Sequence, residues 1–345
     1  MIKGKKHFAT VKKYAMTRQA RVGIVTHVFW RYFSKMYERI AKEYQTKSLT
    51  TSTIFSHLGP RNVENRKKIK NIMKWADVAF FEWADINLCL ATALPKMCKI
   101  ITRLHAHEIF YMHDRINWGK VDAVIFVNNA MKKRFIKLYP RFKGIMRVIY
   151  GYVDENKFRP IQRKHGYNIG ILGSIIPQKR AYELILAFYQ AQKKNRKLKL
   201  FIGGPVKEHY RAYLIILEEL VDKLGLANKV TFEGHIRNPA RWLNKIDVIV
   251  SNSYHEGFHT ALHEGMACGC YPLAHFWDGV DEFLPKENLY ITEEELARKI
   301  LRYFSLAEQT KKAISKKMRD VTIERCNVDK ISDEIIDTVE QVYEN

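Results

Sequence analysis

Residues 247–265 read DVIVSNSYHEGFHTALHEG, and two readings of this stretch compete. His255, Glu256 and His259 form H-E-x-x-H, which holds zinc when both histidines lie on successive turns of one helix. Here Gly257 stands between them, and Ser251, Asn252 and Ser253 come just before. Both features oppose a helix that begins ahead of Thr260. The other reading is a buried strand over 247–250, a polar loop, and a helix over 260–268. Glu256 then lies in a loop at the carboxyl end of a strand. Gly257 lets the backbone approach a ligand, and the first helix amides, with the positive end of the dipole, face the same cleft. Glu264 sits about one turn into that helix. Two carboxylates suit vicinal hydroxyls, and free amides suit a phosphate between them. Such a ligand is a sugar nucleotide. His263 has the plainer role of a polar residue on a helix face.

Outward from this stretch, short β-branched and aromatic runs alternate with amphipathic segments. Strands are expected over 22–26, 49–55, 77–81, 99–104, 122–127 and 146–149, with helices over 61–75 and 130–139. The pattern then restarts. Strands are expected over 167–172, 198–202, 230–232, 247–250 and 271–274, and helices over 180–193, 207–224, 239–245 and 260–268. Apolar strands separated by helices imply parallel sheets covered on both faces. The fold class is therefore α/β, with two Rossmann-like, doubly wound domains facing across a cleft. A proline and a polar stretch interrupt the periodicity near residues 156–166. This places a first domain at 1–157 and a second at 158–325, followed by a helix at 326–345. Ligands of such sheets bind at the carboxyl ends of the strands.

These residues resemble a known family. Glu256-Gly257-Phe258 through Glu264-Gly265-Met266-Ala267-Cys268-Gly269 is similar to the E-x7-E segment of retaining glycosyltransferases of family 4, which have the GT-B fold. The similarity extends to Gly151-Tyr152-Val153-Asp154 with Phe158 and Pro160, to Gly170–Gly173 with Lys179, to Phe201-Ile202-Gly203-Gly204-Pro205, to Val230–Gly234, and to residues 122–128. It implies a nucleoside-diphosphate sugar (UDP, GDP or ADP type) as co-substrate, with no cofactor and no metal. It implies that Glu256 holds sugar hydroxyls and Glu264 the ribose. Backbone amides of Phe258, His259 and Thr260 would approach the sugar and diphosphate beside Gly173, Gly203 and Gly257. Lys179 would neutralise the departing diphosphate. His105 matches a histidine near the reacting face, with His107 in reserve, and the C-terminal helix would cross back to the first domain.

Two departures stand out. Ser174 occupies the position of the family's usual arginine, and Arg180 follows Lys179 where glycine is usual, so Arg180 is expected to share the phosphate clamp. The first strand is followed by Thr26-His27-Val28-Phe29-Trp30-Arg31, without the usual glycine pair. On the acceptor side, Glu82 and Trp83 end a strand that faces the cleft. An aromatic beside a carboxylate suits a sugar, although Trp83 equally suits a core.

Charge narrows the partner. The chain of 345 residues has a formal net charge of +23. Residues 1–150 hold 30 Lys+Arg and 9 Asp+Glu (+21), leaving 29 and 27 (+2) for the rest. So lopsided a balance points to an anionic partner. The first reading is a membrane surface or lipid-linked acceptor, docked through faces such as Lys67, Lys68, Lys70 and Lys74. A nucleic-acid acceptor explains the charge as well, and a non-catalytic sugar-nucleotide or glycan-binding protein stays open because of Ser174. The basic N-terminus, MIKGKKHFATVKKYAM, lacks an apolar h-region, and no apolar run reaches the length of a membrane span. Five scattered cysteines (Cys89, Cys98, Cys268, Cys270 and Cys326) fit a reducing compartment. The expected location is cytoplasmic, peripheral to the inner face of a membrane.

Overall fold

The computed structural model describes residues 20–27, 33–51, 60–161 and 166–345. The basic N-terminus, the stretch after the first strand (28–32), the end of the strand expected over 49–55, and residues 162–165 at the domain join lie outside them. In chain order the first half contains β1 (Arg21–His27), α1 (Ser34–Glu43), β2 (Gln45–Thr51), α2 (Pro60–Trp75), β3 (Val78–Phe81) and α3 (Ile86–Thr92). It continues with β4 (Lys99–Leu104), α4 (Ala106–Tyr111), β5 (Ala123–Phe126), α5 (Asn129–Leu138) and β6 (Ile145–Val148). The second half contains β7 (Asn168–Leu172), α6 (Ala181–Lys194), β8 (Lys199–Gly203), α7 (Arg211–Lys223), β9 (Val230–Gly234) and α8 (Pro239–Leu243). It ends with β10 (Val248–Ser251), α9 (Thr260–Ala267), β11 (Tyr271–His275), β12 (Leu289–Tyr290), α10 (Glu293–Ser305), α11 (Glu308–Cys326) and α12 (Val328–Glu344).

Two six-stranded sheets result, ordered β2-β1-β3-β4-β5-β6 and β12-β11-β10-β7-β8-β9. Every described strand pair is parallel. Alternation along each strand sends side chains to opposite faces. In the first sheet, Ile24, Phe80, Ile101 and Ile125 pack against Met36 and Ile40 of α1 and Ile335 and Val339 of α12. Val25, Phe81, Val124 and Phe126 pack on the other face against α2, α3 and α5 through Ile69, Met73, Leu88 and Phe135. Gly23 has no side chain because a Cβ there would lie 2.5 Å from Ile72 Cγ2 of α2.

The C-terminal helix does cross back. Val153 pairs with Asn327 in an isolated parallel bridge, and the Val153 amide donates to the Cys326 carbonyl at 2.8 Å. The Asn327 side chain caps α12 by accepting from Asp329 and Lys330. Ile331, Ile335 and Val339 are then buried in the first domain.

Some elements differ from the sequence reading. β2 starts four residues earlier than expected. It is an edge strand whose residues, QTKSLTT, are mostly exposed and carry no apolar alternation. The helix expected from 207 begins at Arg211, after a 3-10 turn over Glu208–Tyr210. Cys268 and Cys270 are buried at the end of α9 and form no disulfide. Among the described residues, no helix is long and apolar enough to cross a membrane.

Candidate active site between the sheets

The stretch 247–265 folds as strand, loop and helix. β10 ends at Ser251 and α9 starts at Thr260, so His255 and His259 share no helix. His255 packs on Phe110 of the first domain with ring centroids 4.6 Å apart. His259 is buried with Nδ1 2.6 Å from Ser251 Oγ. Among the described residues, no group of three or more His, Cys, Asp or Glu is arranged to hold a metal ion.

Glu256 forms an ion pair with Lys179, and Ser253 Oγ donates to the same carboxylate oxygen at 2.6 Å. Burial raises the Glu256 carboxyl, but the Lys179 ammonium and the Ser253 hydroxyl outweigh it and hold the group down at about 2. Glu256 is therefore ionised at neutral pH and ready to accept from hydroxyls. Burial, helped by the nearby Lys179 charge, pushes His259 down to about 4, so its ring is neutral.

The lysine is carried by the loop after β7. Gly173 donates to the Gly203 carbonyl at 2.9 Å and Gly204 to the Gly234 carbonyl at 2.7 Å, which stitches the strand ends together. At Gly204, φ is +148° and a Cβ would lie 1.7 Å from the Gly173 carbonyl oxygen. The Lys179 chain passes 3.6 Å from where a Gly173 Cβ would stand. Ser174 follows Gly173 and is half-buried.

Arg180 turns away from the lysine. It is the one described non-glycine residue with positive φ (53°), and its guanidinium turns to Glu183 (3.3 Å) and Glu293 (3.2 Å) over the Tyr254 ring. Two carboxylates already balance the cation expected beside Lys179.

On α9, Glu264 is half-buried and lies four residues after Thr260, on the same helix side. Gly257 also departs from expectation. Its close approach is to the first domain, where a Cβ would meet Val127 Cγ2 at 2.7 Å and the Ala106 amide nitrogen at 3.1 Å. Phe258 inserts its ring against Gly151 and stacks on His263 at 4.0 Å, leaving only its backbone for a ligand. His263 is buried, and its Nδ1 lies 3.1 Å from the His259 carbonyl oxygen, so it serves packing.

The facing sheet end gathers aromatic and titratable groups. Trp83 is half-buried between two imidazoles, with centroids 4.0 Å from His105 and 4.9 Å from His27. His105 begins α4, and its Nε2 lies 3.3 Å from the Glu82 carbonyl. Burial lowers the His105 pKa against the opposing pull of Glu82. His107 faces His255 and Lys207 across the cleft and packs edge-on to Tyr111 at 4.8 Å. Glu82 also has partners of its own. It is buried beneath the site, where Arg103 Nη1 donates to it at 3.1 Å, so it orients Arg103 and His105 and is not presented to a sugar.

The sequence reading missed His27 and Asp85, which lie 3.8 Å apart at the same sheet end. Burial moves both toward neutrality, His27 down to about 4 and Asp85 up to about 7. The position of His27 as the last residue of β1 was the available signal. It also missed Ser253 and an interdomain latch. Glu282 accepts from the Asn129 amide at 2.8 Å and from its side chain at 2.7 Å, at the start of α5, and from Tyr150 OH at 3.0 Å. Asn128 Nδ2 donates to the Gly257 carbonyl at 2.8 Å.

With this geometry in place, comparison with known proteins is decisive for the second domain. Residues 166–305 match the family described as glycosyl transferases group 1. The match covers the second domain, and through it the chain is similar to that family. A curated relative, the tRNA-queuosine alpha-mannosyltransferase of Drosophila melanogaster, is 30% identical over 151 residues. That match covers 43% of this chain and spans 37% of the relative's length. Among solved structures, Anabaena Alr3699/HepE in complex with UDP and glucose superposes with a TM-score of 0.76 at 16% identity, covering 93% of this chain and all of that one. A glycosyltransferase from Rickettsia africae gives 0.74 at 17% identity, covering 95% and 100%. The likeness establishes the family's GT-B fold across both domains.

Proposed function

We propose that this chain is a nucleotide-sugar-dependent glycosyltransferase that moves a hexose, with retention and without a metal, to a hydroxyl of a nucleic acid. The observation that carries the reading is the Lys179–Glu256 pair beside the Gly173–Gly204 turn. It unites a cation for phosphate with an ionised carboxylate for hydroxyls at the mouth of the second sheet. When a donor enters, its diphosphate takes over Lys179, and the Glu256 carboxylate turns to the sugar hydroxyls. Glu264 takes the ribose hydroxyls. The bond from the anomeric carbon to the phosphate oxygen breaks, and negative charge builds on the diphosphate, where Lys179 and the α9 amides stabilise it. The acceptor oxygen bonds to the anomeric carbon on the same face and passes its proton to the departing diphosphate. His105 and His107 present polar groups from the first domain, and closure of the two domains excludes water.

The acceptor choice shifts from lipid to nucleic acid. The relative of known activity acts on a tRNA nucleoside by name, and the +21 charge of residues 1–150 suits a polyanion. The test is transfer of radiolabel from UDP-, GDP- and ADP-sugars to total tRNA and, in parallel, to anionic vesicles containing polyprenyl phosphate. Nuclease-sensitive label in RNA is expected. Label confined to lipid would overturn the acceptor class, and a donor left intact with every acceptor would overturn the enzyme.

A further inference from the structure

Residues 123–153 contain seven Lys+Arg and no Asp or Glu. They form β5, α5 and β6, and β6 is the outer strand of the first sheet. Along this edge Lys137, Arg141 and Lys143 are exposed, and none makes an ion pair among the described residues, whereas at the cleft end Lys133 lines a recess with Asp278, Asp281 and Glu282. The N-terminus of α5 lies at the cleft, where Glu282 and the Gly257 carbonyl meet it. Its C-terminus ends at a cavity of about 480 Å³ bounded by Trp118, Tyr139 and Phe142, with Arg141 and Lys143 also lining it. The polar ends of two of these rings are tied inward. Trp118 Nε1 donates to the His113 carbonyl at 2.9 Å, and so does Tyr139 OH at 2.8 Å. Trp118 is buried, so the ring surface on offer comes from the half-buried Tyr139 and Phe142, while charge lies along the edge.

Unbalanced cations beside aromatic walls are what a single nucleic-acid strand requires. Cations track the phosphates, and rings stack on bases without regard to sequence. A ten-residue helix spans roughly 15 Å. At about 3.4 Å per stacked nucleotide, that is about four nucleotides between the cavity and the cleft. We propose that the α5–β6 edge is the docking track for an RNA acceptor and that the cavity takes one unstacked base. This rests on the nucleic-acid reading above and goes further by placing the RNA.

The test measures binding of the full chain to tRNA by fluorescence anisotropy across a salt series, with donor binding as the folding control. The triple variant Lys137→Glu, Arg141→Glu, Lys143→Glu should lose at least about tenfold in affinity, and its salt dependence should flatten by roughly two to three phosphate contacts. The matched variant Lys67→Glu, Lys70→Glu, Lys74→Glu on α2 should change little. Phe142→Leu should weaken binding by about fivefold or more with the salt slope unchanged, and Phe142→Tyr should restore it. Equal losses in both triple variants would overturn the track, and a neutral Phe142→Leu would overturn the base pocket. Loss of vesicle binding in place of RNA binding would reassign the edge to a membrane. If the parent chain bound no RNA yet still hydrolysed donor, the nucleic-acid reading itself would fail, a result distinct from the others.

Discussion

Lys179→Ala lowers sugar transfer by about 10²–10³, the range seen when one preorganised group that stabilises developing negative charge is removed. The ammonium is in place before substrate arrives, paired with Glu256 beside Gly173. Its removal has a second consequence. Glu256 is 13% exposed and keeps the Ser253 hydroxyl, but without the lysine its carboxyl moves up from about 2 as burial takes over. Both effects fall on the reacting sugar, so single-turnover transfer should fall more than donor affinity. Arg180→Ala serves as the contrast, because that guanidinium is already held by Glu183 and Glu293. It should leave turnover near that of the parent chain. A Lys179→Ala enzyme within about threefold of the parent, far short of the expected 10²–10³, would remove the lysine from the chemistry.

Gly204→Ala should destabilise the chain by about 3 kcal/mol or more, with the melting temperature falling by roughly 6–12 °C. The backbone there has φ +148°, a region that essentially only glycine occupies. The added methyl would stand 1.7 Å from the Gly173 carbonyl oxygen and 2.5 Å from its carbon. These are main-chain atoms, fixed by the Gly173–Gly203 bond, and cannot rotate away. Gly225→Ala is the matched control. Its φ is +67° and nothing lies within 4 Å of the new methyl, so only the left-handed penalty of about 1 kcal/mol applies. Thermal denaturation of the pair separates the two costs. If Gly204→Ala melted with Gly225→Ala, the close seam between the β7 and β8 loops would not exist.

Much of this site was legible because it follows strands. The run 247–250 is apolar throughout, and the glycine and serines after it forbid an early helix, so Glu256 could be placed in a loop and Glu264 on a helix from residue types alone. Lys179 was legible only through resemblance, since a lysine after a proline-containing loop is chemically unremarked. The misplacements share one physical cause. Sequence shows which end of a strand a residue occupies, but not what its side chain meets. Arg180 meets two carboxylates from its own helix and from α10, 113 positions away. Glu82 meets Arg103 from the adjacent strand. Gly257 is small because the first domain presses on it. β2 was misjudged because an edge strand can be polar on both faces. The Glu282 latch spans 153 positions and leaves no local trace.

The central claim is that Lys179, Glu256 and Glu264 receive one ligand from the second domain's side of the cleft. The most direct measurement is an experimental structure of the chain with a nucleoside-diphosphate sugar. Lys179 should have left Glu256 for the diphosphate, with Glu256 on the sugar hydroxyls and Glu264 on the ribose. A donor bound elsewhere, or bound here with Lys179 still on Glu256 and the ribose away from Glu264, would contradict the account.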